Sequence, residues 1–247
     1  MLPTPDTSHV SYERIYEPAE DSFLLLDTLS TPRETAFLTS RFRNEPLPLV
    51  LEIGPGSGVV IAFANAHAQL LFGTREILTA AIDVNSYACA ATNTTVGKAA
   101  SEHASTHGTY LGTAQGDLVA PLRDGAVDVL IFNPPYVPTP ELPRWPTATD
   151  MVTSVANPSF QDDSYLLSLS YAGGVDGMEI TDRLIESLPR VLSPKGCAYV
   201  LLCAQNKPEE VKHRIRGFGD QWRVDMVGSS GKQAGWEKLQ IIRVWRE

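Results

Sequence analysis

Leu47-Pro48-Leu49-Val50-Leu51-Glu52-Ile53-Gly54-Pro55-Gly56-Ser57-Gly58 reads as a short buried strand that runs straight into a glycine turn. An apolar helix follows over 59–71, so the unit is strand, turn, helix, the opening of a parallel α/β sheet. The glycines let the backbone approach a ligand closely and take up positive φ. Their Gly-x-Gly-x-Gly spacing is one residue short of the dinucleotide pattern, and Glu52 beside them would repel a phosphate but welcome a cation.

Working outward, the same alternation continues. Strands are expected over 77–83, 109–114, 127–132, 197–203, 223–227 and 238–245, and helices over 86–100, 177–191 and 208–217. Upstream, an acidic turn with an early proline, Glu17-Pro18-Ala19-Glu20-Asp21-Ser22, opens a helix on Phe23-Leu24-Leu25-Leu26, and a second helix is expected over 33–43. The fold class is α/β: seven strands, mostly parallel, with one antiparallel strand in the closing hairpin. One domain, 1–247, is expected. Residues 1–45 form a leader and helices that fold back over the body, and 139–161, with Pro140, Pro143, Pro146 and Pro158, form an irregular excursion.

Composition excludes several classes. The chain has 247 residues, 43% hydrophobic and 20% charged, an ordinary globular balance. Its net charge of -9, without a Lys/Arg run to neutralise a phosphate backbone, argues against a nucleic-acid partner. No apolar run is long enough to span a bilayer. Cys89, Cys197 and Cys203 form no C-x-x-C pair, so neither a disulfide framework nor a zinc site is indicated, and they read as small buried hydrophobes in a reducing compartment. His9, His67, His103, His107 and His213 show no ligand spacing, and no metal is expected in this chain.

Chemistry gathers at strand ends. Asp83 closes the second strand, where a carboxylate can take both hydroxyls of a ribose. Gln115-Gly116-Asp117-Leu118 follows the third; Asp117 can accept from an exocyclic amine or simply cap a turn. Asn133-Pro134-Pro135-Tyr136 follows the fourth. Its two prolines remove two N–H donors and stiffen the chain, so an amide side chain, free carbonyls and a ring are presented in fixed positions. That set suits holding a planar amino group while its nitrogen reacts. All four strand ends lie on one rim of a parallel sheet.

This ordered set resembles the class I S-adenosylmethionine-dependent methyltransferases, whose fold is Rossmann-like with helices on both faces of the sheet. Asn133-Pro134-Pro135-Tyr136 looks like the motif of the branch that methylates planar nitrogens. The segments Tyr16-Glu17-Pro18-Ala19-Glu20-Asp21-Ser22, Ala172-Gly173-Gly174 with Asp176-Gly177 and Asp182-Arg183, and Gln233-Ala234-Gly235-Trp236-Glu237 are similar to the eukaryotic HemK-like release-factor glutamine N5-methyltransferases. The excursion over 139–161 is longer than that family leads one to expect. The resemblance implies that Glu52, Gly54 and Gly56 face the methionine and ribose of the cofactor, with Asp83 and Val84 at the ribose and Asp117 and Leu118 at adenine. Ser22 touches the cofactor, and Tyr16 and Pro18 close over it. Asn133 stands between cofactor and substrate; Asn133 and the Pro134 carbonyl accept the two amide N–H groups, with Pro135 holding the turn and Tyr136 and Val137 against the substrate.

The implied reaction is methylation of the glutamine in a release factor's Gly-Gly-Gln loop. Alternatives are an N6-adenine nucleic-acid methyltransferase, an enzyme acting on a lysine of another protein such as a histone, and a non-catalytic scaffold. The resemblance further implies a heterodimer with a small zinc-binding activator subunit that pairs with the sheet edge, expected at the third strand, 109–114. Such an unpaired edge predicts poor solubility for the chain alone. The expected location is the cytoplasm, with the nucleus as a second compartment.

Overall fold

The computed structural model describes residues 2–43, 47–144, 160–231 and 238–247. Helices α1 (Glu20–Leu29) and α2 (Pro32–Phe42) precede β1 (Leu49–Ile53). Then come α3 (Val59–Ala66), α4 (Ala68–Phe72), β2 (Leu78–Asp83), α5 (Ser86–Glu102), β3 (Thr109–Gln115) and β4 (Val127–Phe132). After the excursion, α6 (Phe160–Tyr171), α7 (Glu179–Val191), β5 (Leu192–Cys203), α8 (Pro208–Arg216), β6 (Trp222–Ser229) and β7 (Leu239–Arg246) complete the chain.

The seven strands form one sheet in the order β3-β2-β1-β4-β5-β7-β6. Strands β1 to β5 pair in parallel, and β7 inserts antiparallel between β5 and β6. The order reverses between β1 and β4, which opens a crevice at the C-terminal strand ends, where such sheets bind ligands. Ile53 pairs with Ile82 on one side and Phe132 on the other, so the residues after them share a rim.

Alternation along the buried strands builds a core on each face. Val50, Val129, Ile131, Tyr199 and Leu201 pack with α1 to α5, whereas Leu51, Ile53, Leu130, Phe132 and Val200 pack with α7 and α8. Glu34 of α2 is fully buried on the first face; its carboxylate takes the Tyr199 hydroxyl (2.8 Å) and Arg243 (2.7 Å), which pins α2 to the sheet. All three cysteines are buried. Among the described residues no helix is long and apolar enough to cross a membrane.

Three elements differ from the sequence reading. The helix expected over 59–71 is two, broken at His67, whose Nε2–H donates to the Pro3 carbonyl (3.1 Å) and so ties down the leader. Helix α6 was not expected, because a serine-rich stretch without a cap or a clear apolar stripe gives little helical signal. Strand β5 begins at Leu192, earlier than the expected 197, with an irregularity between the Val127–Leu192 and Val129–Cys197 pairings. Residues 145–159 of the excursion and Gln233-Ala234-Gly235-Trp236-Glu237 lie outside the described residues.

Candidate active site

At the end of β1 the chain turns through Gly54 and Gly56, both at positive φ (63° and 54°), and Gly54 would have open space around a Cβ. Asp83, buried at the end of β2, braces this turn: one carboxylate oxygen accepts from Gly56 N (3.1 Å) and the other from Asn85 N (2.8 Å). Asn85 in turn caps α5 through Tyr87 N and donates to the Arg14 carbonyl of the leader. Burial pushes the Asp83 carboxyl up to about 6, against the pull of its backbone donors. Glu52 is 2% exposed and accepts from Ile61 N at the start of α3 (2.7 Å). Burial, opposed by that hydrogen bond and helped by the Asp83 charge, pushes it up to about 8. The pocket therefore holds a proton at neutral pH that a bound cation would displace.

After β3, Leu118 sits in the left-handed region (φ 47°), a conformation that costs a β-carbon residue roughly 1 kcal/mol or more and concentrates at functional sites. It turns Asp117 so that one oxygen meets Arg183 of α7 (2.5 Å). The other, Oδ1, has no hydrogen-bond partner and no solvent exposure.

Asn133 follows β4. Its amide nitrogen donates to Asp21 of α1 (3.1 Å), and its Oδ1 is a second shielded oxygen without a partner. The turn that carries it is held from behind by the Ala172-Gly173-Gly174 segment. Val137 bridges Ala172 in parallel, Val137 N donates to the Tyr171 carbonyl (3.0 Å), and Gly173 N donates to the Val137 carbonyl (2.8 Å). A Cβ on Gly173 would overlap the Pro135 carbonyl, and one on Gly177 (φ 68°) would overlap the Tyr136 carbonyl. Asn206 donates to the Tyr136 carbonyl (3.2 Å) and the Asp176 carbonyl (3.0 Å), which locks the two segments together.

One cavity collects these groups. Of the residues expected at the site, Tyr16, Ser22, Glu52, Gly54, Gly56, Asp83, Val84, Asp117, Leu118, Asn133, Pro134 and Pro135 line it. Pro18, Tyr136 and Val137 do not; Tyr136 is half-buried and packs toward the core on the α1 to α5 face, and Val137 belongs to the bridge behind the turn. Asp21, Arg14 and α6 complete the wall. Arg14 lies over the Tyr87 ring (4.7 Å) and pairs with Asp163 of α6 (2.6 Å), joining the leader to the substrate side. The supporting roles of Asp21, Arg183 and Asn206 are not readable from local sequence, because each acts on a residue far along the chain. Among the described residues no group of three or more His, Cys, Asp or Glu side chains is placed to hold a metal ion.

No protein-family model matches the chain. Methyltransferase HEMK2 of Mus musculus is 32% identical over 98% of this chain and 96% of its own length. The eRF1 methyltransferase catalytic subunit mtq2 of Schizosaccharomyces pombe is 31% identical over 100% and 96%, and a putative protein N5-glutamine methyltransferase of Methanocaldococcus jannaschii is 30% identical over 95% and 93%. Among solved structures, the E. cuniculi Mtq2-Trm112 complex, described as responsible for methylation of the eRF1 translation termination factor, shares the fold: TM-score 0.55, 21% identity, 95% of this chain and 99% of that one. With relatives of 31–32% identity matched over nearly the whole of both chains, the chain belongs to the HEMK2 and Mtq2 family of methyltransferases.

Proposed function

We propose that this chain is the catalytic subunit of an S-adenosylmethionine-dependent enzyme that methylates the side-chain nitrogen of the glutamine in the Gly-Gly-Gln loop of a translation release factor. The observation that carries the reading is the unpartnered Asn133 Oδ1. A shielded acceptor without a donor costs about 1–3 kcal/mol, and an incoming amide N–H relieves it. Relatives named as eRF1 and N5-glutamine methyltransferases support the same substrate.

The residues present fit the cofactor. Asp117 Oδ1 is a free acceptor for an exocyclic amine, Asp83 is a buried carboxylate for ribose hydroxyls, and Glu52 is a carboxyl that ionises beside a cation. S-adenosylmethionine supplies an electrophilic methyl group on a sulfonium. An amide nitrogen is a poor nucleophile, since its lone pair is delocalised, so orientation does most of the work. Asn133 Oδ1 and the Pro134 carbonyl hold the two N–H groups, fixing the plane of the amide and aiming its nitrogen at the methyl carbon. The bound cofactor would supply the methyl group and retain the pair of the broken bond, and the amide held by Asn133 and Pro134 would give up one proton to water.

An outer strand supports the reading of a partner subunit. Strand β3 is the outermost strand on its side. Thr79 pairs with Tyr110 and Ala80 with Gly112, so Leu111 is bulged out of the pairing and is 59% exposed. We assign this edge to a small zinc-binding activator subunit that adds to it by strand pairing. The heterodimer works in the cytoplasm, with the nucleus as a second site.

The test is transfer from labelled S-adenosylmethionine to release factor or to duplex DNA. Label is expected on release factor and lost when its loop glutamine is replaced; label on DNA alone, or on release factor lacking that glutamine, overturns the reading. Asn133→Ala should keep cofactor binding and lose transfer.

A further inference from the structure

We infer that Asp21 is the positioning residue that decides which end of the Asn133 amide meets the substrate. The inference rests on the reading that Asn133 Oδ1 accepts a substrate N–H. The two ends of an asparagine amide have nearly the same shape, and a half-turn about the last side-chain bond exchanges a donor for an acceptor. Only a neighbour with fixed polarity distinguishes them. Asp21 Oδ2, which accepts from Asn133 Nδ2 at 3.1 Å, is such a neighbour: a carboxylate has no N–H end to offer in exchange. The Asn133 NH2 is therefore held on Asp21, and Oδ1 is left without a partner.

Asp21 is itself immobilised. It is 3% exposed, and its other oxygen accepts from Ser22 N (2.6 Å) and from the Ser22 hydroxyl (3.3 Å). It sits in the first turn of α1, where the helix dipole favours negative charge. With Asn133 turned over, its NH2 would face the N–H groups of the target amide, donor against donor, and the clamp would be lost while the cavity kept its shape.

A polarity swap tests this. In the full chain purified with its partner subunit, Asp21→Asn removes the fixed acceptor without changing shape, and Asn133→Asp sets two carboxyls against each other. The combination D21N/N133D restores one donor and one acceptor between the two positions and again leaves an oxygen unpaired at 133. Single-turnover methyl transfer to release factor should fall on the order of 100-fold in each single variant, the effect of one misplaced polar group at a reacting centre. Cofactor Kd from calorimetry should stay within about threefold, a change too small to reflect loss of a direct contact. The double variant should recover at least about tenfold over the slower single, as coupled neighbours do. The inference is overturned if D21N transfers at the wild-type rate, if D21N loses cofactor binding, or if the double variant is no faster than the slower single. Asn133→Ala separates the two readings: full transfer in N133A removes the clamp itself, whereas an inactive N133A with an active D21N removes only the role of Asp21.

Discussion

Replacing Glu52 by glutamine should abolish a large part of the pH dependence of folding. The carboxyl is pushed from an ordinary 4.5 up to about 8 in the folded chain, chiefly by burial. Between those values the folded state keeps a proton that the unfolded chain gives up, so stability present below about pH 4.5 is lost as pH rises toward about 8. At about 1.4 kcal/mol per tenfold in proton affinity, the loss from this group grows by about 3.5 kcal/mol between pH 5 and pH 8, an upper bound because buried carboxyls relax. Glutamine keeps an oxygen for the Ile61 N–H and has no proton to lose. Asp83, pushed up to about 6, adds a similar slope at lower pH in both proteins and cancels in the comparison. Urea unfolding of the ligand-free wild type and variant at pH 5, 6, 7 and 8 measures the difference. The wild type should lose about 3.5 kcal/mol relative to the variant across that range; parallel pH profiles would refute the placement of an uncompensated carboxyl at the end of β1.

Three further outcomes are expected. Arg183→Ala should release Asp117 and weaken S-adenosylmethionine binding up to about fivefold, the limit for a partly exposed pair, with turnover at saturating cofactor unchanged; calorimetry and steady-state kinetics check both. Gly177→Ala introduces a side chain at φ 68° against the Tyr136 carbonyl and should cost about 2 kcal/mol or more of stability in thermal unfolding, with transfer impaired more than cofactor binding. Leu111→Lys, on a residue 59% exposed, should leave the unfolding midpoint of the chain alone unchanged and abolish co-purification of the small partner.

The sheet was legible because its central strands are buried on both faces, and runs such as 127–132 have no other stable home. Once the strands are ordered, Glu52, Asp83, Asp117 and Asn133 fall on one rim with no further information. Their supports were not legible. Asp21 reads locally as an acid that complements a helix dipole, yet its partner Asn133 is 112 positions away. Arg183 and Asn206 act across 66 and 70 positions, on Asp117 and on the Tyr136 carbonyl. The Ala172-Gly173-Gly174 and Gly177 pattern was readable as a resemblance, but its physical reason, the passage of the Pro135 and Tyr136 carbonyls where side chains would stand, needs three dimensions.

Residues 2–15 contain no helix or strand and would look expendable to anyone trimming this chain for production. They are a wall. Pro3 is bonded to His67, Asp6 to Lys98, and the Arg14 carbonyl to Asn85, while Val10 and Ile15 pack on Ala88. A truncated protein that began at α1 would keep its sheet and the Asn133 turn but lose Arg14, Ile15 and Tyr16 from the cavity lining, and with Arg14 the link to α6. The shortest functional version of this enzyme is therefore set by the leader, and an inactive shortened protein would report a missing wall rather than a missing catalytic group.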